Sequence, residues 1–191
     1  MEDNVPLREN EVAVSTIADW LKLNVTGDER ALKWFESPEC EPRIVKAYAE
    51  LLSGYKTDPG SLLKTTRPVV GDHQGVVRVH DINYFSICAH HFLPFFGKVD
   101  VAYVPGDRII GLGKFPRLVT AYARRFQIQE DLVKDIAEEL MNSGGARAVK
   151  VTSTGRHMCM CSRGPSDQTA STDTSYVLGD TELLARYGMA G

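Results

Sequence analysis

Nowhere in the 191 residues is there an apolar run approaching the roughly twenty needed to span a bilayer, which argues against a transmembrane helix. The opening Met1-Glu2-Asp3-Asn4 lacks both the basic end and the apolar stretch of a secretory signal, so the cytoplasm is the expected compartment. Basic excess is missing as well. The 22 Lys and Arg against 25 Asp and Glu leave a net charge of −3, which argues against a general nucleic-acid binder. No internal repeat or low-complexity tract is evident. Cysteines number only four, and Cys159 and Cys161 stand one residue apart beside His157. That placement suits metal and thiol chemistry in a reducing compartment better than a pair of disulfides.

What is present is concentrated. Cys88-Ala89-His90-His91 and His157-Met158-Cys159 hold most of the chain's metal-binding side chains, although it has only five histidines in all. A lone Cys or His is more often a core residue than a ligand, but clustering of this kind reverses the expectation. Cys88 and His91 can reach one ion from a single turn, and Cys159 can close the set from a distant segment. Three protein ligands leave tetrahedral zinc one open position, the pattern of a catalytic site, where a bound water becomes acidic enough to act as a nucleophile. His90 and His157 each adjoin a ligand and are candidates for proton transfer there. Elsewhere Lys114 and Arg117, Arg124 and Arg125, and Arg156 and Arg163 form local basic groups that suit the polyphosphate of a small ligand.

Periodicity predicts helix from Glu9 to about Tyr55, with Val14, Ile17, Ala18 and Leu21 on one stripe and Ile44, Val45, Tyr48, Leu51 and Leu52 on another. Lys56 to Gly75, with Asp58-Pro59-Gly60, Arg67-Pro68 and Gly71-Asp72, reads as a turn-rich connection. Strands are predicted over Val76–Ile87 and Lys98–Val104, helices over Lys114–Phe126 and Gln129–Met141, and strands over Ala146–Cys161 and Thr169–Val177. On an extended strand His157, Cys159 and Cys161 would share one face. The resulting divisions are an N-terminal helical extension over 1–55, a connection over 56–75, a catalytic domain over 76–180 and a short, mobile tail over 181–191.

Ser86-Ile87-Cys88-Ala89-His90-His91, Gly97-Lys98-Val99, Gly111-Leu112-Gly113-Lys114, Gln127-Ile128-Gln129-Glu130 and His157-Met158-Cys159, in that order, resemble type I GTP cyclohydrolase. Ala49 to Tyr55 upstream and Ser171 to Ser175 downstream extend the match. The resemblance implies an α+β tunnelling fold: an antiparallel four-stranded sheet with two helices on one face, inserted between the second and third strands, in a toroidal homo-oligomer with active sites between subunits. It implies Zn2+ held by Cys88, His91 and Cys159, with His157 protonating N7 of guanine and His90 acting near the ribose oxygen. Gln129 and Glu130 would recognise guanine, and Lys114, Arg117 and Arg163 would hold the triphosphate. The implied reaction opens the imidazole ring of GTP at C8, releases formate and recloses to 7,8-dihydroneopterin triphosphate.

Three positions depart from the family's pattern: Ala89 where Glu is usual, Gly113 where Ser is usual, and Pro116. They raise two alternatives. One is a specialised enzyme acting on a modified guanine nucleotide or stopping at the ring-opened formamide; the other is a non-catalytic nucleotide-binding or scaffold subunit.

Overall fold

The computed structural model describes residues 7–25, 27–64, 66–70 and 75–190, with no account of the side chains of residues 7–14. The chain divides into two compact units, Met1–Glu50 and Leu51–Gly191. The first holds α1 (Leu7–Lys22), α2 (Glu29–Glu36) and most of α3 (Cys40–Leu51). Asp28 caps α2 by accepting from the Arg30 and Ala31 amides, satisfying donors that a helix start leaves unpaired. Of the first predicted stripe, Ala18 is buried but Ile17 and Leu21 are exposed, and the Val14 side chain lies outside the described residues.

The second unit contains α4 (Pro59–Leu62), β1 (Thr66–Pro68), β2 (Val77–Cys88), β3 (Pro94–Pro105), β4 (Arg108–Ile110), α5 (Lys114–Ala123) and β5 (Phe126–Gln127). These are followed by α6 (Gln129–Asn142), β6 (Ala146–His157), α7 (Met158–Cys161), β7 (Thr172–Gly179) and α8 (Thr181–Arg186). The main sheet runs β5-β2-β3-β6-β7, and its last four strands are antiparallel neighbours. Helices α5 and α6 lie between the second and third of those four, as expected. The addition is β5, two residues paired in parallel with Ile87 and Cys88, too short to leave a periodic trace in the sequence.

Alternation along β2, β3 and β6 sends Ile82, Tyr84, Phe95, Val99, Val101, Tyr103, Val149 and Val151 to the helix side, all buried. They meet Leu132, Val133, Ile136, Ala137 and Leu140 of α6, each no more than 2% exposed. Burial at that level stabilises by roughly 1.5–3 kcal/mol for each large side chain, so this contact is a principal anchor of the sheet.

Three expectations are corrected. The segment read as a turn-rich connection is structured: a 3-10 turn over Ser53–Lys56 leads into it, Asp58 caps α4 with Pro59 at its first position, and Leu63 is 1% exposed. Asp-Pro-Gly there marks a helix start, since proline's missing N–H costs nothing in a first turn; Gly71 and Asp72 fall outside the described residues. The strand predicted through Cys161 ends at His157, and Met158–Cys161 forms a helical turn closed by the Ser162 amide on the Met158 carbonyl. His-Met-Cys-Met-Cys alternates like a strand but has no ladder partner beyond His157, which pairs with Phe95. The expected mobile tail instead contains α8, capped by Asp180, with Leu184 and Met189 buried. Among the described residues no helix is long and apolar enough to cross a membrane.

Candidate metal centre

The centre begins where β2 ends. The Cys88 amide donates to the Leu93 carbonyl, while the His91 and Phe92 amides both point back at the Cys88 carbonyl. Phe92 takes φ 57°, a left-handed turn that non-glycine residues rarely adopt, and this tight return folds His91 over Cys88. Their side chains meet, with Cys88 Sγ 3.7 Å from His91 Nδ1. From the other side α7 supplies Cys159. The ligand atoms of Cys88, His91 and Cys159 all lie within 4.8 Å of one another; both cysteines are buried and the histidine is exposed.

These donors fit a metal ion. Across a tetrahedral zinc, ordinary Zn–S and Zn–N bond lengths separate sulfur from nitrogen by about 3.6 Å, close to the spacing of Cys88 and His91. Burial pushes the Cys159 thiol up, and the neighbouring Cys88 pushes it further, against an opposing pull from its own backbone and from Arg163. The Cys159 thiol in this setting resists ionisation until a cation arrives. None of the four cysteines is in a disulfide.

Around the three ligands is a cleft of about 210 Å³ lined also by His90, Ile128, Gln129, Glu130, His157, Met160 and Thr172. His90 is exposed, its Nδ1 4.0 Å from Cys88 Sγ. Glu130 is exposed in the first turn of α6. His157 is half-buried, stacked on Phe95, and its Nε2 lies 2.8 Å from Gln129 Oε1. Burial lowers the His157 pKa, with Glu130 partly offsetting that effect. Gln129 is 1% exposed yet contributes to the lining of the cleft.

The expected triphosphate residues are placed differently. Lys114 opens α5 half-buried, and Arg117, one turn on, lines a separate cavity of about 350 Å³ with Ser53, Thr57, Thr120 and Arg124. Arg163 is exposed just after α7, near enough for its charge to act on Cys159. None of the three lines the cleft that holds the cysteines. Cys161 is buried and stands outside the metal-binding group. The Phe95 platform and the buried setting of Gln129 were not anticipated. One sequence signal pointed to them: glycine inside a strand run, as at Gly155, marks a close approach.

The profile of the GTP cyclohydrolase I family matches residues 23–186. A GTP cyclohydrolase 1 from Campylobacter lari is 46% identical over 137 residues, covering 72% of each chain. Another, from Allorhizobium ampelinum, is 38% identical over 181 residues, covering 94% of this chain and 86% of its own. Among solved structures, an apo archaeosine synthase QueF-Like is similar over 57% of this chain and 98% of its own, with a TM-score of 0.47 at 19% identity.

Proposed function

Since the chain belongs to the GTP cyclohydrolase I family, we propose that it catalyses zinc-dependent hydrolytic opening of the guanine ring of GTP at C8, with formate release and reclosure to 7,8-dihydroneopterin triphosphate. The observation that carries this reading is the convergence of Cys88, His91 and Cys159, from the neighbouring C-terminal ends of β2 and β6, on one point in a cleft that also holds two imidazoles. Zinc bound by these three residues supplies a Lewis acid and a water of lowered pKa.

The chain's own groups do the rest. His157, on its Phe95 platform, exchanges a proton with guanine N7; His90, exposed at the cleft, serves the ribose oxygen. The Glu130 carboxylate accepts from the ring N–H and exocyclic amine of guanine, a pairing that matches two donors to two oxygens. Lys114, Arg117 and Arg163 take the triphosphate.

The placement of these groups supports a homo-oligomer. The cleft, at about 210 Å³, falls below the roughly 300–1,000 Å³ of ordinary ligand pockets, and Arg117 lines a different cavity of the same chain. A second copy bringing its α5 to the cleft completes the site, so an isolated subunit is inactive.

Incubating zinc-loaded protein with GTP and analysing products by mass spectrometry tests the reading. Formate and a pterin are expected. A ring-opened formamide without formate would favour the truncated reaction, and unchanged GTP would overturn the proposal.

A further inference from the structure

Gln129 is the first residue of α6, and its amide is committed on every side. Nε2 donates to the Ser153 carbonyl of β6 at 2.9 Å and to the Thr172 carbonyl of β7 at 2.8 Å. Reversing the amide would aim Oε1 at those two carbonyl oxygens, three acceptors facing one another with no proton among them. At 1% exposure no water can make good the lost hydrogen bonds, so the orientation is fixed. Oε1 is therefore the atom 2.8 Å from His157 Nε2, and only an N–H can satisfy it.

We infer that Gln129 is a positioning residue that holds His157 in its Nε2–H tautomer, leaving Nδ1 as the ring nitrogen offered to the substrate. In neutral imidazole one nitrogen donates and the other accepts, and the partner of the first decides which is which. The contact with Gln129 Oε1 commits Nε2 as the donor and leaves Nδ1 as the acceptor. The inference rests on the proposed role of His157 in proton transfer.

The surroundings keep the arrangement rigid. Phe95 covers one face of the imidazole, with ring centroids 4.5 Å apart and planes 5° from parallel. Gly155 leaves the room that the amide occupies: a Cβ there would lie 2.6 Å from Gln129 Oε1 and 2.6 Å from the Tyr84 hydroxyl. That hydroxyl in turn accepts from Ser153 Oγ at 3.1 Å. Helix α6 is thus tied to the β6–β7 pair by the same side chain that sets the tautomer, and Gln129 acts on the reaction through His157.

The test uses zinc-loaded protein labelled with 15N-histidine. Long-range proton–nitrogen correlation should show a protonated-type Nε2 and an unprotonated-type Nδ1 for His157, assigned by loss of the signals in His157→Ala. The opposite pattern overturns the inference. In Gln129→Met, both tautomers should appear, with unchanged zinc content and kcat lowered at least about tenfold while KM for GTP moves less than about twofold. A raised KM at unchanged kcat would mean that Gln129 contacts the base, and would also overturn it. Should the variant fail to fold, the wild-type spectrum decides. If that spectrum shows the Nε2–H form but GTP is not consumed, the proposed reaction fails and the tautomer assignment stands.

Discussion

His157 lies flat against Phe95, the residue it faces across the β3–β6 ladder. Phe95 is 0% exposed and belongs to the main core, so the platform cannot tilt without disturbing the packing beneath it. Imidazole and thiolate therefore reach the cleft by different routes. His157 is held by the sheet and by Gln129, whereas Cys159 is carried by the helical turn that follows the sheet. Removing one need not displace the other.

Two substitutions exploit that separation. His157→Ala should keep a full complement of zinc and lose ring opening, by roughly 10²–10⁴-fold for an acid–base group. Cys159→Ala should lose the metal itself, because two remaining ligands hold zinc poorly. Metal content by mass spectrometry alongside formate release separates the cases. Equal zinc and undiminished turnover in both variants would refute the assigned roles.

Gly97 sits opposite Gly155, two residue pairs along the β3–β6 ladder from Phe95 and His157. A Cβ at Gly97 would be 1.9 Å from the Thr154 carbonyl oxygen and 2.9 Å from the Gly155 Cα. Backbone atoms cannot step aside as a flexible side chain can. Gly97→Ala should cost about 3 kcal/mol or more, lowering the midpoint of thermal unfolding by roughly 6–12 °C in a chain of this size. Gly113→Ala is the control: its Cβ meets nothing within 4 Å, and its midpoint should be unchanged or slightly raised. Equal midpoints for the two variants would remove the argument.

The two metal motifs were legible because they are local. Spacing alone places Cys88 and His91 on one turn, and His157 beside Cys159. That the halves meet depends on the β3–β6 register, which no single segment encodes. The contact between Gln129 and His157 is less legible still, since it needs the start of α6 to lie beneath the end of β6. The α6 stripe of Leu132, Val133, Ile136, Ala137 and Leu140 declared itself because every member is buried on one face. Met158–Cys161 misled because side-chain alternation persists where the ladder has already stopped.

Arg125 joins the 3-10 turn to α5. Its guanidinium donates to the Gly54, Thr57 and Ala121 carbonyls and lies over the rings of Tyr55 and Tyr122. A lysine ammonium cannot reproduce that planar fork. Arg125→Lys should cost about 1–2 kcal/mol and speed amide exchange across residues 53–63, while leaving exchange in α6 at its wild-type rate. Uniform protection in both segments would show that the guanidinium is not the brace.

Asp135 gives the fold a definite pH dependence. It accepts from Gln127 Nε2 at 3.0 Å. Burial nevertheless pushes its carboxyl above the ordinary range, with Asp131 and Glu138 adding to the shift against Gln127 and Arg125. A carboxyl whose folded pKa is raised holds its proton longer in the folded state than in the unfolded chain. Its favourable contribution is complete below the unfolded value of about 4 and is lost as pH rises through the folded value. At neutral pH the wild type therefore carries a poorly solvated carboxylate. Asp135→Asn keeps an oxygen for Gln127 and removes the charge, so the variant should unfold at a higher temperature than wild type at pH 7. The difference should shrink as the pH is lowered towards 4, where the wild-type carboxyl is itself protonated. Thermal unfolding of both proteins from pH 4 to 8 measures it, and an advantage that grew in acid would show that the shift has the opposite sign.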